Sequence, residues 1–246
     1  MQNCKKAMLV LADGRTFPGW SIGAEGESLG EVVFNTSMMG YQEIITDPSY
    51  AGQIVTMTYP LIGNYGTNDE DLEADQVALK GLVVREGCPH PSNWRNTQTF
   101  SEYLAAKGIV GIEGVDTRAL TRHIREVGAQ IGVISTEKRT KKAFEKMAAD
   151  YPVMEGTDLV RDVTCKKSYP WTQGNWDLEK GYAKGGKKRF FVVAYDFGIK
   201  QNILRNLVAA GCKVEVVPAD FPAQEVLAKN PDGIFLSNGP GDPASV

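Results

Sequence analysis

The residues best placed to do chemistry stand where Phe235–Val246 reads FLSNGPGDPASV. A strand pattern runs there into Gly239-Pro240-Gly241-Asp242-Pro243. Gly239 and Gly241 lack a Cβ, so a ligand can approach the backbone closely, and the two prolines restrict the turn. Backbone N–H groups clustered at the C-terminal end of a strand can hold an oxyanion or a carboxylate, and open α/β sheets place their chemistry there. A plain strand-to-loop turn uses the same residues, so G-P-G alone does not define a site. Neither a Walker A pattern nor G-x-G-x-x-G occurs, which leaves a nucleotide fingerprint without support.

Other reactive residue types are scattered. Cys4, Cys88, Cys165 and Cys212 lie far apart with no C-x-x-C, and His90 and His123 are the two histidines, so zinc-site spacing is absent and no metal ligands are assigned. Cys88 precedes Pro89-His90, but near neighbours along a chain rarely make a nucleophile–base pair, and Pro89 stiffens the backbone between them. Cys212, in AAGCKVEVV, reads as packing at the start of a strand. His123 falls on the flank of an apolar helical stripe, as a structural or solvated histidine would.

The elements that must position the G-P-G turn follow a βαβαβ rhythm. RFFVVAYDF (189–197) is an apolar strand run, and IKQNILRNLVAA puts Ile199, Ile203, Leu204, Leu207 and Val208 on one helical stripe closed by Gly211. KVEVVP, AQEVLAKN and DGIFLSN continue as strand, helix and strand, the start of a parallel doubly wound sheet of flavodoxin type. Upstream the character differs. AMLVLA and RTFPGW flank an Asp13-Gly14 turn as a hairpin, and residues 30–60 alternate β-prone runs with turn signals, so that stretch reads as mostly strand. Thr99-Phe100-Ser101-Glu102 is a capping box before a helix closed by Gly108, and Asp116 caps TRALTRHIREV, which Gly128 stops. Residues 137–150 read as a solvated basic helix. Residues 169–189, turn-rich and ending in a Gly/Lys cluster, read as a linker. The expectation is an α/β chain: a mixed, β-rich domain over 1–185, then the first βαβαβ part of a doubly wound domain over 190–246.

Bulk properties exclude several classes. A net charge of −3, from 27 basic and 30 acidic residues, argues against a nucleic-acid footprint. No apolar run approaches the ~20 residues of a membrane span, and Asp13 and Arg15 interrupt the N-terminal apolar run. Reduced cysteines in a cytoplasmic protein are expected.

FLSNGPGDP, preceded by VVAYDFGIKQNILRNL, closely resembles the class I glutamine amidotransferase domain of carbamoyl phosphate synthetase small chains. ADGRTFPGWSIGA, GEVVFNTSMMGYQEIITDPSYAGQIVTMTYPLIGNYG, VDTRALTRHIREVGAQ and YPWTQGNW resemble the same family in order, so the likeness covers nearly the whole chain. It implies an amidotransferase that hydrolyses L-glutamine and passes ammonia to a large synthetase chain. That partner, bound as a heterodimer through the first domain, uses ATP, Mg and bicarbonate to make carbamoyl phosphate for arginine and pyrimidine synthesis. No cofactor is implied for this chain. By the same resemblance Ser49, in TDPSY, helps bind glutamine, Gly239 supplies an oxyanion-donor N–H, and Gly241 is a second glutamine contact. From its own surroundings Ser49 is an ordinary turn serine.

The family's cysteine elbow (G-I-C-L-G-H-Q type) and its histidine and glutamate do not occur in residues 1–246. The expectation is therefore a family member cut short before its catalytic cysteine, with one wall of a glutamine site, no catalytic residue and no glutaminase activity of its own. Two readings compete with it: a non-catalytic docking module for the large chain, and an unrelated doubly wound binder of a phosphorylated ligand.

Overall fold

A computed structural model describes residues 5–151, 156–184 and 189–243. They fall into two compact units: Met1–Thr46, Tyr50–Leu72 and Val77–Met154 form the first, and Asp47–Ser49, Glu73–Gln76 and Glu155–Val246 the second.

The first unit runs β1 (Lys6–Leu11), β2 (Thr16–Gly23), β3 (Glu27–Asn35), α1 (Tyr41–Thr46), β4 (Gln53–Met57), β5 (Leu61–Ile62), β6 (Gly81–Val83), β7 (Glu86–Gly87), α2 (Phe100–Ala106), β8 (Val110–Glu113), α3 (Thr117–Val127), β9 (Gln130–Ser135) and α4 (Lys141–Asp150). Seven strands close a barrel in the order β1-β2-β8-β6-β4-β3-β9, with β3, β4, β6 and β8 parallel and the other pairings antiparallel. Closure removes the sheet's unpaired edges. Successive side chains of a strand point to opposite faces. Thus Ile54 joins one buried cluster, with Leu9, Ile112 and Leu120, while Val55 and Met57 join another, with Tyr41, Leu82 and Phe100.

Local signals explain several elements. Thr99 and Glu102 form the capping box on α2, and the Asp116 carboxylate accepts from the Ala119 amide at the start of α3. The Asp13-Gly14 hairpin is present, its turn closed by the Leu11 amide on the Arg15 carbonyl. Three expectations need correction. Residues 41–46 are helix, because Tyr41, Ile44 and Ile45 are buried there, which overrides the strand preference of an Ile-Ile-Thr run. Helix α4 is only partly solvated: Phe144 and Ala148 pack against Val10 and Val133.

The third concerns the expected linker. The second unit comprises α5 (Val160–Val163), β10 (Tyr169–Trp171), β11 (Gln173–Asp177), β12 (Gly181–Lys184), β13 (Phe190–Asp196), α6 (Gln201–Ala209), β14 (Cys212–Pro218), α7 (Ala223–Ala228) and β15 (Gly233–Leu236). Most of 169–184 is strand, with β11 and β12 a hairpin whose turn is tied by the Asp177 carboxylate accepting from the Glu179 and Lys180 amides. Residues 156–184 thus belong with the second unit, whereas the division drawn from composition falls at 185–190; residues 185–188 lie outside the described residues. The βαβαβ expectation holds. Strand β13 pairs in parallel with β14 and β15, and β10 adds antiparallel beyond β14. Leu204 and Val208 of α6 cover one face and Val226 of α7 the other. The α/β class, a barrel-like β-rich part followed by part of a doubly wound sheet, is the fold observed.

Candidate functional site

All three residues singled out in sequence lie in the second unit, because Asp47–Ser49 packs with it although its chain neighbours belong to the barrel. Ser49 sits in a single 3-10 turn, Pro48–Tyr50, and its amide donates to the Asp47 carboxylate at 2.9 Å. That is the turn chemistry an Asp-Pro-Ser sequence encodes. The Ser49 hydroxyl then accepts from Asn238 Nδ2 at 2.7 Å, across 189 positions of sequence. Asn238 also donates to the Gly198 carbonyl at 3.3 Å. One side chain therefore ties the serine to the residue immediately before Gly239.

The turn itself is built for close approach. A Cβ on Gly239 would meet the Phe197 carbonyl oxygen, so only glycine fits without a backbone shift. Gly241 has φ +74°, the left-handed region that side chains disfavour. Among the described residues neither the Gly239 nor the Gly241 amide has a hydrogen-bond partner, and Asn238 Oδ1 is a buried acceptor without one. Two unbonded donors and an unbonded acceptor thus lie within residues 238–241, and the Ser49 hydroxyl joins them through Asn238. Gly239 and Gly241 are exposed, so their amides are open to water or a ligand, whereas Asn238 Oδ1 is buried and costly to leave unpaired.

Residues that the sequence reading left unassigned hold this arrangement. Asp196 ends β13; its Oδ1 accepts from the Gly198 and Ile199 amides at 3.0 and 2.8 Å, and its Oδ2 from the Cys165 amide at 2.8 Å. Lys200 pairs with Asp47 at 3.3 Å. Helix α6 has no cap from its own N-cap side chain, and Glu73 replaces it: its carboxylate accepts from the Asn202 amide at 2.9 Å and its carbonyl from the Gln201 amide. Burial, ahead of the opposing Asn202 amide and the nearby Arg205 and Lys200, pushes the Glu73 carboxyl up. Asp47 was readable from D-P-S, and Asp196 from an aspartate placed two residues before a glycine. Glu73 carried no local signal, because its partner lies 129 positions away.

Cys4 lies outside the described residues; the other reactive types are accounted for structurally. Burial, then the neighbouring Asp196 charge, pushes the Cys165 thiol up to about 12, the wrong direction for a nucleophile. Cys212 is buried in the apolar cluster beneath α6. The Cys88 thiol contacts the His90 carbonyl at 3.5 Å. In the first unit His123, 7% exposed, meets Asp13 at 2.6 Å, pinning α3 to the β1–β2 turn. Among the described residues no three His, Cys, Asp or Glu side chains form a group able to hold a metal ion.

Residues 193–246 match the class-I glutamine amidotransferase family, which places the second unit in that class of domain. Residues 9–134 match the carbamoyl-phosphate synthase small chain, CPSase domain. The chain belongs to the carbamoyl-phosphate synthase small-chain family. It is 62% identical to the carbamoyl phosphate synthase small chain of Syntrophotalea carbinolica over 98% of its own length and 64% of that protein. The small chains of Vibrio parahaemolyticus and Escherichia coli K12 are each 55% identical, over 97% and 98% of this chain. The chain spans about 64% of the length of these curated relatives. Among the described residues no helix is long and apolar enough to cross a membrane.

Proposed function

We propose that this chain is the glutamine-handling partner in carbamoyl phosphate synthesis, with Ser49, Gly239 and Gly241 contacting L-glutamine. The observation that carries this reading is the Ser49–Asn238 hydrogen bond at 2.7 Å, which sets a serine hydroxyl beside an unbonded G-P-G turn. A carboxamide suits such a set: its oxygen accepts from backbone amides, and its N–H groups need an acceptor such as Asn238 Oδ1. The Gly239 amide acts as the oxyanion donor, and Gly241 and Ser49 orient the substrate.

These groups bind and polarise; they do not attack. Hydrolysis of a carboxamide at neutral pH needs an activated nucleophile within reach of a base, and residues 1–246 hold no cysteine elbow with its histidine. In this reading the attacking thiol is not one of Cys88, Cys165 or Cys212. Ammonia passes to a large synthetase chain, docked through the first unit, which uses ATP, Mg and bicarbonate. The setting is cytoplasmic, and the product serves arginine and pyrimidine synthesis.

The test compares two polypeptides incubated with glutamine. Residues 1–246 alone release no ammonia. A fusion of residues 1–246 to the C-terminal third of the Syntrophotalea carbinolica relative does release it. Ammonia release by the 246-residue chain, lost on Cys212→Ser, would overturn this assignment.

A further inference from the structure

The side-chain amide of Asn238 can face its neighbours in only one way. One of its terminal atoms lies 3.3 Å from the Gly198 carbonyl oxygen, an acceptor with no proton to give. That atom is therefore the nitrogen, and the same nitrogen stands 2.7 Å from Ser49 Oγ. The Ser49 hydroxyl accordingly accepts from Asn238, while Asn238 Oδ1 stays buried without a partner.

The backbone on either side holds this amide in place. Ser237 accepts from the Phe197 amide at 2.9 Å and donates to the Asn238 carbonyl at 2.7 Å, and its own amide donates to the Tyr195 carbonyl at 3.3 Å. Residue 238 is thus fixed against the end of β13 before the chain enters the G-P-G turn. All of these residues belong to the second unit.

Two serines of that unit use their hydroxyls differently. A hydroxyl has one proton to donate and two lone pairs to accept with. Ser237 uses both functions, accepting from Phe197 and donating to Asn238. Ser49 uses only the accepting one: among the described residues its hydroxyl proton meets no acceptor. What the half-buried Ser49 still offers is an O–H donor. It matches the unbonded amides of Gly239 and Gly241, which are donors too.

We propose that Asn238 is a positioning residue that fixes the polarity of Ser49, holding its hydroxyl as a donor toward an acceptor oxygen of L-glutamine. The proposal rests on the glutamine reading above and names the residue that sets the role of Ser49 within it. A freely rotating hydroxyl takes ligand donors and acceptors alike. One already engaged by an amide N–H favours an acceptor. The substitution Asn238→Asp inverts this. It keeps an oxygen in place of Oδ1 but replaces the nitrogen with a second acceptor, so Ser49 donates to it and turns lone pairs toward the ligand.

The experiment is a double-mutant cycle on ammonia release from glutamine by the fusion bearing the C-terminal third of the Syntrophotalea carbinolica relative, with KM and kcat read separately. Ser49→Ala should raise KM about fivefold. Asn238→Asp should raise it at least about tenfold, since an acceptor then faces an acceptor, with kcat held within about twofold. In the Ser49→Ala background the same substitution should add less than about threefold, because no hydroxyl remains to be turned. Equal increases in both backgrounds are what added charge or a displaced turn would give; they overturn the proposal and leave the glutamine site standing. A fall in kcat with KM unchanged overturns it as well. A fusion that releases no ammonia, or a KM that Ser49→Ala leaves unaltered, overturns the glutamine reading and the proposal together. Thermal unfolding matching the parent fusion shows that the variants fold. If Asn238→Asp does not fold, Asn238→Ala takes its place in the cycle: its increase in KM should be larger with Ser49 present than in the Ser49→Ala background, and equal increases overturn the proposal. In the 246-residue chain itself, Ser49→Ala should move the NMR signal of the Asn238 side-chain amide, and an unmoved signal removes the hydrogen bond on which the proposal stands.

Discussion

The two units solve the edge problem of a β-sheet in opposite ways. The first closes seven strands into a barrel, so its strand backbone groups pair internally. The second is an open four-stranded sheet, β10-β14-β13-β15, and the G-P-G turn proposed to bind glutamine follows the C-terminal end of β15. On β15, Ile234 and Leu236 are 46% and 66% exposed while Phe235, facing the other way, packs against the α6 side. Closure gives the barrel a self-contained core. The open sheet instead leaves donors, acceptors and apolar surface unpaired where a ligand or further structure can meet them.

The contrast can be broken most forcefully in the barrel core. Leu82, fully buried between strands, should cost about 2–5 kcal/mol when cut to alanine, since the reduced burial and the remaining cavity add. Hydrogen exchange resolved by residue should register that destabilisation in β1–β9 and leave protection of β13 and β14 unchanged. Equal loss of protection in both units would mean that they unfold as one. In the open sheet the matching probe is Gly239→Ala. The added Cβ meets the Phe197 carbonyl and must move the turn, at a cost of about 1–3 kcal/mol. The hydrogen bond from Asn238 to Ser49 should then break, which the NMR signal of the Asn238 side-chain amide would register. An unmoved Asn238 signal would separate the turn from the serine.

Acid should affect the units with opposite sign. In the barrel, the Arg139 guanidinium holds the Glu27 carboxyl below its ordinary value. Partial burial pushes the Asp13 carboxyl up, but the Arg15 amide and His123 outweigh it and hold it down. Carboxyls held down contribute stability above their unfolded values, about 4, and lose it as pH falls through the lowered ones. Glu73 is raised by burial, so its contribution is full below its unfolded value of about 4.3 and is lost as pH rises through the raised one. Acidification from neutrality therefore weakens the barrel relative to the second unit, and Glu73→Gln flattens the second unit's profile. An unchanged profile in Glu73→Gln would remove Glu73 as the source.

What could be read from sequence was what neighbours decide. Thr99–Glu102, Asp116 and Gly128 announce two helices because a cap is made within three residues, and the βαβαβ rhythm of 190–236 follows from apolar periodicity. Helix α1 was hidden because Ile44-Ile45-Thr46 favours a strand until the barrel buries it. Strands β10 to β12 were hidden in a polar, turn-rich stretch, where pairing with β14 and with each other settles the backbone. Gly239 and Gly241 were legible as a turn that admits a ligand. The side chain joining that turn to Ser49 was not, since Asn238 meets it across 189 positions.

The most direct test of the account is Ser49→Ala in the fusion bearing the relative's C-terminal third, assayed with the large chain for carbamoyl phosphate synthesis from glutamine and, separately, from ammonia. Removing one hydroxyl hydrogen bond is worth about 1 kcal/mol, so the KM for glutamine should rise about fivefold while ammonia-dependent synthesis is unchanged. An unaltered glutamine KM, or an equal loss with ammonia, would contradict a glutamine site built from Ser49 and the G-P-G turn.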